Sequence, residues 1–265
     1  MNPFHYSDYE SQLMDQDYIR MLQRPRVRFF KDCKKVLDLG SGPGVFLELL
    51  KEAGIEAVGV DRSEAIVEKA QRKGLSVIHS DLFEYLRQTE DRYDGIFCSH
   101  LLEHLPFGEV IRLIEEIAAR LLPGGTLVFV FPNPGSIRLH LFGFWRDPEH
   151  IRFYTGSLVA SVCRHYGLEV DYLNEEETPN CLETPHLEPI SVSLPDPGWK
   201  GLFQARKGKL EVFLQEFNKQ VEAFNQKMER FSEALNKIWS RDDEVVLVLI
   251  KKGESHPGKN GPSVP

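Results

Sequence analysis

Val36-Leu37-Asp38-Leu39-Gly40-Ser41-Gly42-Pro43-Gly44 is the stretch on which the fold turns. An apolar run ends in an acidic residue, and three glycines then stand at every second position. This is the pattern of a buried strand turning sharply into a helix whose amino end is open to a ligand. A glycine lets the backbone approach a bound molecule where a Cβ would collide. A dinucleotide loop has its glycines at the first, third and sixth positions, the last for close packing of helix on strand. Here the sixth position is Val45, and the third glycine comes one residue early, at Gly44. The spacing argues against a hydride-transferring dinucleotide fold.

Outward from this run, apolar strand patterns alternate with helical ones, as in a parallel sheet covered by helices on both faces. Strands are expected near 35–39, 56–60, 75–79, 93–98, 125–131, 168–173 and 244–251, and helices near 8–31, 44–53, 63–73, 108–122 and 156–166. Ser63 is placed to cap the third of these helices and Gly74 to end it. Pro123-Gly124-Gly125 reads as a turn between a helix and the fifth strand. Two segments exceed such a domain, about 133–154, rich in aromatics, His and Pro, and about 175–243. Within the second, Leu210, Leu214, Phe217, Val221, Phe224, Met228, Phe231, Leu235 and Ile238 follow in steps of 4 and 3, a heptad seam. A helix over 203–239 would be about 54 Å long at about 1.5 Å per residue. One narrow apolar stripe asks for a partner, so a coiled-coil contact with a second copy or a partner enzyme is expected. The alternative is that the helix folds along its own domain. The expected division is 1–34 as an N-terminal cap helix, 35–174 with 244–252 as the main domain, 175–243 as an insertion, and 253–265 as a disordered tail.

Composition narrows the class. The chain has 265 residues, 42% hydrophobic and 27% charged, with a net charge of −8, which suits a soluble domain and argues against broad nucleic-acid binding. Cys33, Cys98, Cys163 and Cys181 are scattered without metal-binding spacing, and Cys98 and Cys163 lie in apolar runs as reduced core residues. Met1–Glu10 has neither the basic nor the apolar region of a signal peptide, and no apolar run approaches the roughly 20 residues of a membrane span. A cytoplasmic protein is expected.

With Asp38 two residues before Gly40, the opening run resembles the Asp/Glu-x-Gly-x-Gly-x-Gly signature of class I S-adenosylmethionine-dependent methyltransferases of the type 11/23 kind. The resemblance implies a Rossmann-like α/β fold with a seven-stranded, mostly parallel sheet whose last strand is antiparallel, here with a long helical insertion before that strand. It implies S-adenosylmethionine as cofactor, held by Asp38, Gly40, Ser41, Gly42 and Gly44. Val58-Gly59-Val60-Asp61 then ends a second strand about twenty residues on, where a carboxylate, followed by Arg62, can accept both ribose hydroxyls. Asp61 as a plain acid at a helix start is the alternative. Asp81, with Leu82, stands where the family binds adenine, although an ordinary helix cap would look the same. Tyr93 to Leu105 resembles the family's fourth-strand motif ending in Glu-His, with Ser99 and His100 at the cofactor's methionine part and Glu103-His104 just beyond. His104 is a candidate general base, or a structural partner of the cofactor.

The segment Phe144 to Tyr154 resembles the Asp-Pro-x-His-x-Arg-x-Tyr stretch of bacterial methyltransferases associated with glycan-modifying pathways. In it His150 is the first candidate for the base, or else orders the loop by bonding a carboxylate. Asn133, Trp145, Arg146, Arg152 and Tyr154 are expected at the acceptor, the arginines suiting an anionic group such as phosphate or uronate, while Tyr154 suits the core equally. His140, Asp147, Glu149 and His150 are of metal-ligating type but lack a recognised spacing, so no metal is expected. Leu139, Leu141, Phe142, Phe144 and Trp145 would form an acceptor pocket wall or touch a lipid surface. Tyr6, Tyr9 and Tyr18 are placed to cap the cofactor. The function implied is methyl transfer to an oxygen of a sugar, glycan or small metabolite. Nitrogen or carbon acceptors and a binding scaffold that presents the heptad helix are the alternatives.

Overall fold

The structure, a computed structural model, describes residues 15–174, 204–239 and 242–253. The chain divides into two compact units, Met1–Glu177 with Asp242–Pro265, and Thr178–Arg241. The expectations attached to Tyr6, Tyr9, Cys181, residues 175–203 and the tail after Gly253 lie outside the described residues.

In the first unit, α1 (Gln16–Gln23) starts at Asp15, whose carboxylate accepts from the backbone N–H groups of Asp17 and Tyr18. The long helix expected over 8–31 is interrupted: a 3₁₀ turn covers Arg24–Phe30. Pro25 has no N–H to donate one turn back, which ends the α-helical ladder there. Then follow β1 (Lys35–Leu39), α2 (Val45–Glu52), β2 (Glu56–Asp61), α3 (Glu64–Arg72), β3 (Val77–His79), α4 (Leu82–Gln88), β4 (Tyr93–Ser99), α5 (Phe107–Arg120), β5 (Leu121–Pro132), α6 (Gly156–His165), β6 (Leu168–Leu173) and β7 (Glu244–Lys251). Helix α4 is absent from the periodicity because its 7 residues give too short a pattern. Its signal is Asp81, which accepts from the N–H groups of Phe83 and Glu84. The Pro123-Gly124-Gly125 turn lies inside β5: Tyr93 pairs with Leu121 and Gly95 with Thr126, so the residues between loop out as a bulge.

The seven strands form one sheet in the order β3-β2-β1-β4-β5-β7-β6. Neighbours from β3 to β5 are parallel, and β7 runs antiparallel to both β5 and β6. Alternate residues feed two cores. Leu37, Ile96, Cys98, Leu127, Phe129, Val245 and Leu247 face α5 and α6 on one side. Val36, Phe97, Val128, Val246 and Val248 meet Phe30 and Phe46 on the other. There the Phe46 and Phe97 rings stack at 3.8 Å, with Phe30 edge-on to both. Strand order reverses between β1 and β4, so a crevice opens at their carboxyl ends, the place where sheets of this kind bind ligands.

Asn174 fixes the return of the chain to this edge. Its amide donates to the Asp242 carboxylate at 3.1 Å and the Glu244 carbonyl at 3.0 Å, and its oxygen accepts from the Val246 N–H at 2.8 Å. In the second unit, α7 (Gln204–Trp239) is one helix of 36 residues, and Phe213, Phe217, Phe224, Phe231 and Leu235 are exposed along it. Among the described residues no helix is long and apolar enough to cross a membrane. Replacing Asn174 by Ala strands buried backbone groups and is expected to lower the unfolding free energy by about 1–3 kcal/mol. Urea denaturation measures this, and a midpoint equal to that of the parent chain would refute the clamp.

Candidate active site

The Asp38–Gly44 turn carries three left-handed glycines, with φ of +72° at Gly40, +52° at Gly42 and +81° at Gly44. At Gly42 a Cβ would meet nothing within 4 Å, so the turn leaves open space there. Gly59 does the opposite work: a Cβ on it would lie 2.5 Å from Ser41 Oγ, so its lack of a side chain lets the turn settle on β2. The N–H groups of Gly40 and Ser41 both donate to the Val60 carbonyl. Asp61, at the end of β2, accepts from the N–H of Gly42 at 2.9 Å and of Ser63 at 2.9 Å, tying the two crossovers together. Ser63 stands at the start of α3 as expected, but its side chain makes no cap bond and Asp61 satisfies the turn instead. Asp38 is 3% exposed, and burial, then the charge of Asp61, pushes its carboxyl up to about 8.

Further along the edge, Arg62 bonds Glu149 at 2.5 Å, a link from β2 to the segment after β5. Asp81, exposed at the start of α4 with the partly buried Leu82 beside it, holds the helix cap with its Oδ1. Ser99 ends β4, and His100 follows with φ +52°, the only left-handed non-glycine among the described residues. Such a backbone costs of order 1–3 kcal/mol and marks functional sites. His100 Nδ1 lies 3.1 Å from Glu103 Oε1 and Nε2 2.8 Å from Glu244 Oε1, while Arg26 reaches the other Glu244 oxygen at 3.0 Å. Desolvation opposes the charge on His100, but the two carboxylates outweigh it and push the imidazole up to about 10. The Glu244 carboxyl is held below its usual range despite its own desolvation, by His100 and Arg26.

The Asp147–Tyr154 segment docks on this turn. The Glu103 carbonyl accepts from the N–H of Ile151 at 2.8 Å and of Arg152 at 3.4 Å. His150 Nδ1 meets the Phe144 carbonyl at 2.7 Å, and its ring lies edge-on to that of His104 at 4.7 Å. A carbonyl only accepts, so Nδ1 carries a proton there and Nε2 is the nitrogen left for other partners. That nitrogen lies 3.8 Å from Asp147 Oδ2 and 4.0 Å from Glu103 Oε1. Burial lowers the pKa of His104 and so favours its neutral form. Phe144 is buried and stacks on Phe153 at 3.7 Å, fixing the loop from within.

The two histidines foreseen as base candidates thus come together, with Glu103 between them. Other expected residues serve the scaffold. Asn133 donates to the Asp242 carbonyl and accepts from the Gly135 N–H, holding the β5 end. Tyr154 is 2% exposed and donates to the Leu105 carbonyl at 2.6 Å, a core position. Arg152 lies over the Tyr154 ring at 4.8 Å, and Trp145 is 64% exposed beside Phe144. Arg146 is on the 3₁₀ turn that begins at Phe144. Tyr18 is exposed on α1. Of the residues of metal-ligating type, His140 bonds the Pro134 carbonyl and Glu149 bonds Arg62. Arg26 and Glu244 carry no local sequence signal, because only the sheet brings them to His100.

Asp38 yields a pH prediction. A carboxyl raised on folding stays neutral in the fold and ionises in the unfolded chain, so it makes stability fall as pH rises from about 4 to about 8. The ligand-free Asp38→Asn variant is expected to melt above the parent chain at pH 8 and to lose most of that margin at pH 5. Equal margins at both values would refute the raised carboxyl.

Residues 9–173 match the family model described as a methyltransferase domain. The ubiquinone biosynthesis O-methyltransferase of Coxiella burnetii is 37% identical over 102 residues, 36% of this chain and 42% of that protein. Its namesake in Vibrio vulnificus is 30% identical over 115 residues, 41% of this chain and 48% of that protein. The matched stretch spans less than half the length of these curated relatives. A solved structure, a SAM-dependent methyltransferase from Archaeoglobus fulgidus, superposes with a TM-score of 0.68 at 25% identity, over 94% of this chain and 100% of that one. By the domain match, the sheet order and the glycine turn, the chain belongs to the methyltransferase-domain family in its class I, S-adenosylmethionine-dependent form.

Proposed function

We propose that this protein transfers the methyl group of S-adenosylmethionine to a hydroxyl oxygen of a small molecule, with sugars and glycans in the acceptor class. The observation that supports this reading is the docking of the Asp147–Tyr154 segment on the Glu103 turn, which brings His150 beside His104 just after β4. In this reading Gly40, Ser41, Gly42 and Gly44 line the cofactor's backbone-facing side, and Asp38 faces its ammonium. Asp61 with Arg62 takes the ribose, Asp81 with Leu82 the adenine, and Ser99 and His100 border the methionine part. The acceptor enters between Trp145, Arg146 and Arg152, with Leu141 and Ile151 as an exposed apolar wall.

The chemistry is an in-line displacement. An oxygen lone pair forms the new O–C bond while the S–C bond breaks with its electrons going to sulfur, and the hydroxyl proton leaves toward the Glu103–His104–His150 cluster and solvent. Alignment supplies part of the rate, up to about 7–11 kcal/mol in the best intramolecular cases. Removing the proton supplies typically about 10²–10⁴-fold. The O-methyltransferase names of the curated relatives support oxygen as the acceptor atom. In the same proposal the exposed phenylalanines of α7 pair with a second copy or a partner enzyme.

Calorimetry is expected to show one-to-one binding of S-adenosylmethionine to the parent chain and none to Gly42→Arg, whose side chain fills the open space of the turn. Incubation of the protein with labelled cofactor and lysate fractions then identifies the acceptor by product mass. On that acceptor His150→Ala should lower kcat by about 10²-fold or more with cofactor affinity unchanged. Absence of cofactor binding by the parent chain defeats the proposal. For α7, Phe217→Glu with Phe224→Glu should lower the sedimenting mass, and an unchanged mass rejects the pairing.

A further inference from the structure

We infer that Glu103, His104 and His150 form a binding site for one divalent cation of the manganese, cobalt or zinc kind. One ligand atom from each side chain lies within 4.8 Å of the other two. An ion held at about 2.0–2.2 Å wants its donors roughly 3–4 Å apart, so the cluster needs to close by about an ångström.

Two features of the cluster point to a ligand. The first is Glu103, 1% exposed: its Oε1 accepts from His100, while its Oε2 is buried with no hydrogen-bond partner. A buried carboxylate oxygen left unpaired costs free energy, and an ion satisfies it. The second is the way His150 is held. With Nδ1–H given to the Phe144 carbonyl, the ring turns Nε2 toward Glu103 and Asp147. That is the arrangement of metal-ligating histidines, whose second nitrogen is fixed by a backbone carbonyl or carboxylate. The bond from His100 to Glu103 Oε1 orients the carboxylate in the same manner.

Two imidazoles and one carboxylate with open positions suit manganese, iron, cobalt or zinc better than magnesium or calcium, which prefer all-oxygen sets. The Asp147 carboxylate, 3.8 Å from His150 Nε2, adds negative charge on the same side. This inference rests on the O-methyl transfer proposed above. There the ion binds the acceptor's hydroxyl oxygen and lowers its pKa. With the ion held there, the hydroxyl proton would leave to solvent while the oxygen displaces the sulfonium, and His150 would serve the transfer as the ion's ligand.

The test uses the full chain, stripped with chelator and dialysed. Titration with Mn²⁺ alone by calorimetry should show saturable one-to-one binding, and Co²⁺ alone should give visible bands of a nitrogen–oxygen site. Glu103→Gln, His104→Ala and His150→Ala should each weaken binding by at least about 10–100-fold, a loss that even outer-shell changes cause. His165→Ala, an exposed histidine at the end of α6, should bind as the parent chain does. Near-UV circular dichroism verifies that each variant is folded, and any variant that unfolds is set aside in favour of the other two. Absence of one-to-one binding, or binding unchanged in the folded variants, overturns the site. Methyl transfer from labelled cofactor that proceeds equally fast after chelation removes the metal and leaves the methyltransferase reading standing. Metal binding without any cofactor binding does the reverse.

Discussion

A carboxylate buried to 1% exposure cannot stand alone, and the neutralisation of Glu103 organises everything around the crevice. The compensating charge is relayed: Arg26 from the 3₁₀ turn meets Glu244 at the start of β7, Glu244 meets His100 after β4, and His100 meets Glu103. Three distant parts of the chain are thereby committed to one place. The backbone of the same residue anchors the acceptor-side segment through Ile151 and Arg152. One glutamate thus holds the cluster by its side chain and the loop by its carbonyl.

The strain in His100 belongs to this arrangement. The left-handed backbone at φ +52° keeps both bonds at hydrogen-bonding distance. On the other flank, Asp61 ties the glycine turn to the start of α3, and its neighbour Arg62 reaches Glu149. The strand ends beside the glycine turn and the segment after β5 are therefore joined at two points, Arg62–Glu149 and Glu103–Ile151. An exposed ion pair such as Arg62–Glu149 adds little stability, so its effect is on geometry.

What the sequence shows in advance follows how local each signal is. The Asp38–Gly44 turn is legible because a left-handed turn needs glycine within a few residues. Asp61 is legible because it lies a fixed crossover away. Asp81 is legible in position only, since capping α4 and facing a ligand ask for the same side chain. Asn133 and Tyr154 are legible only as polar side chains that need a partner, since tying down backbone and meeting a ligand ask for the same residue types. The Arg26–Glu244 pair, 218 residues apart, is invisible because it depends on β7 lying beside β5. The break at Pro25 was readable in principle, but the helical periodicity on both sides masked it.

The placement of β7 also sets an order of events during synthesis. The strand lies between β5 and β6, yet it is made last, after the whole stretch from 174 to 243 has left the ribosome. Until then the edges of β5 and β6 that β7 pairs lack their partner, and the core places of Val245, Leu247 and Leu249 stay empty. Domain completion is thus a late, non-local closure, slow by nature and exposed to edge-to-edge association while it waits. The charge relay through Glu244 cannot form before that strand is made either.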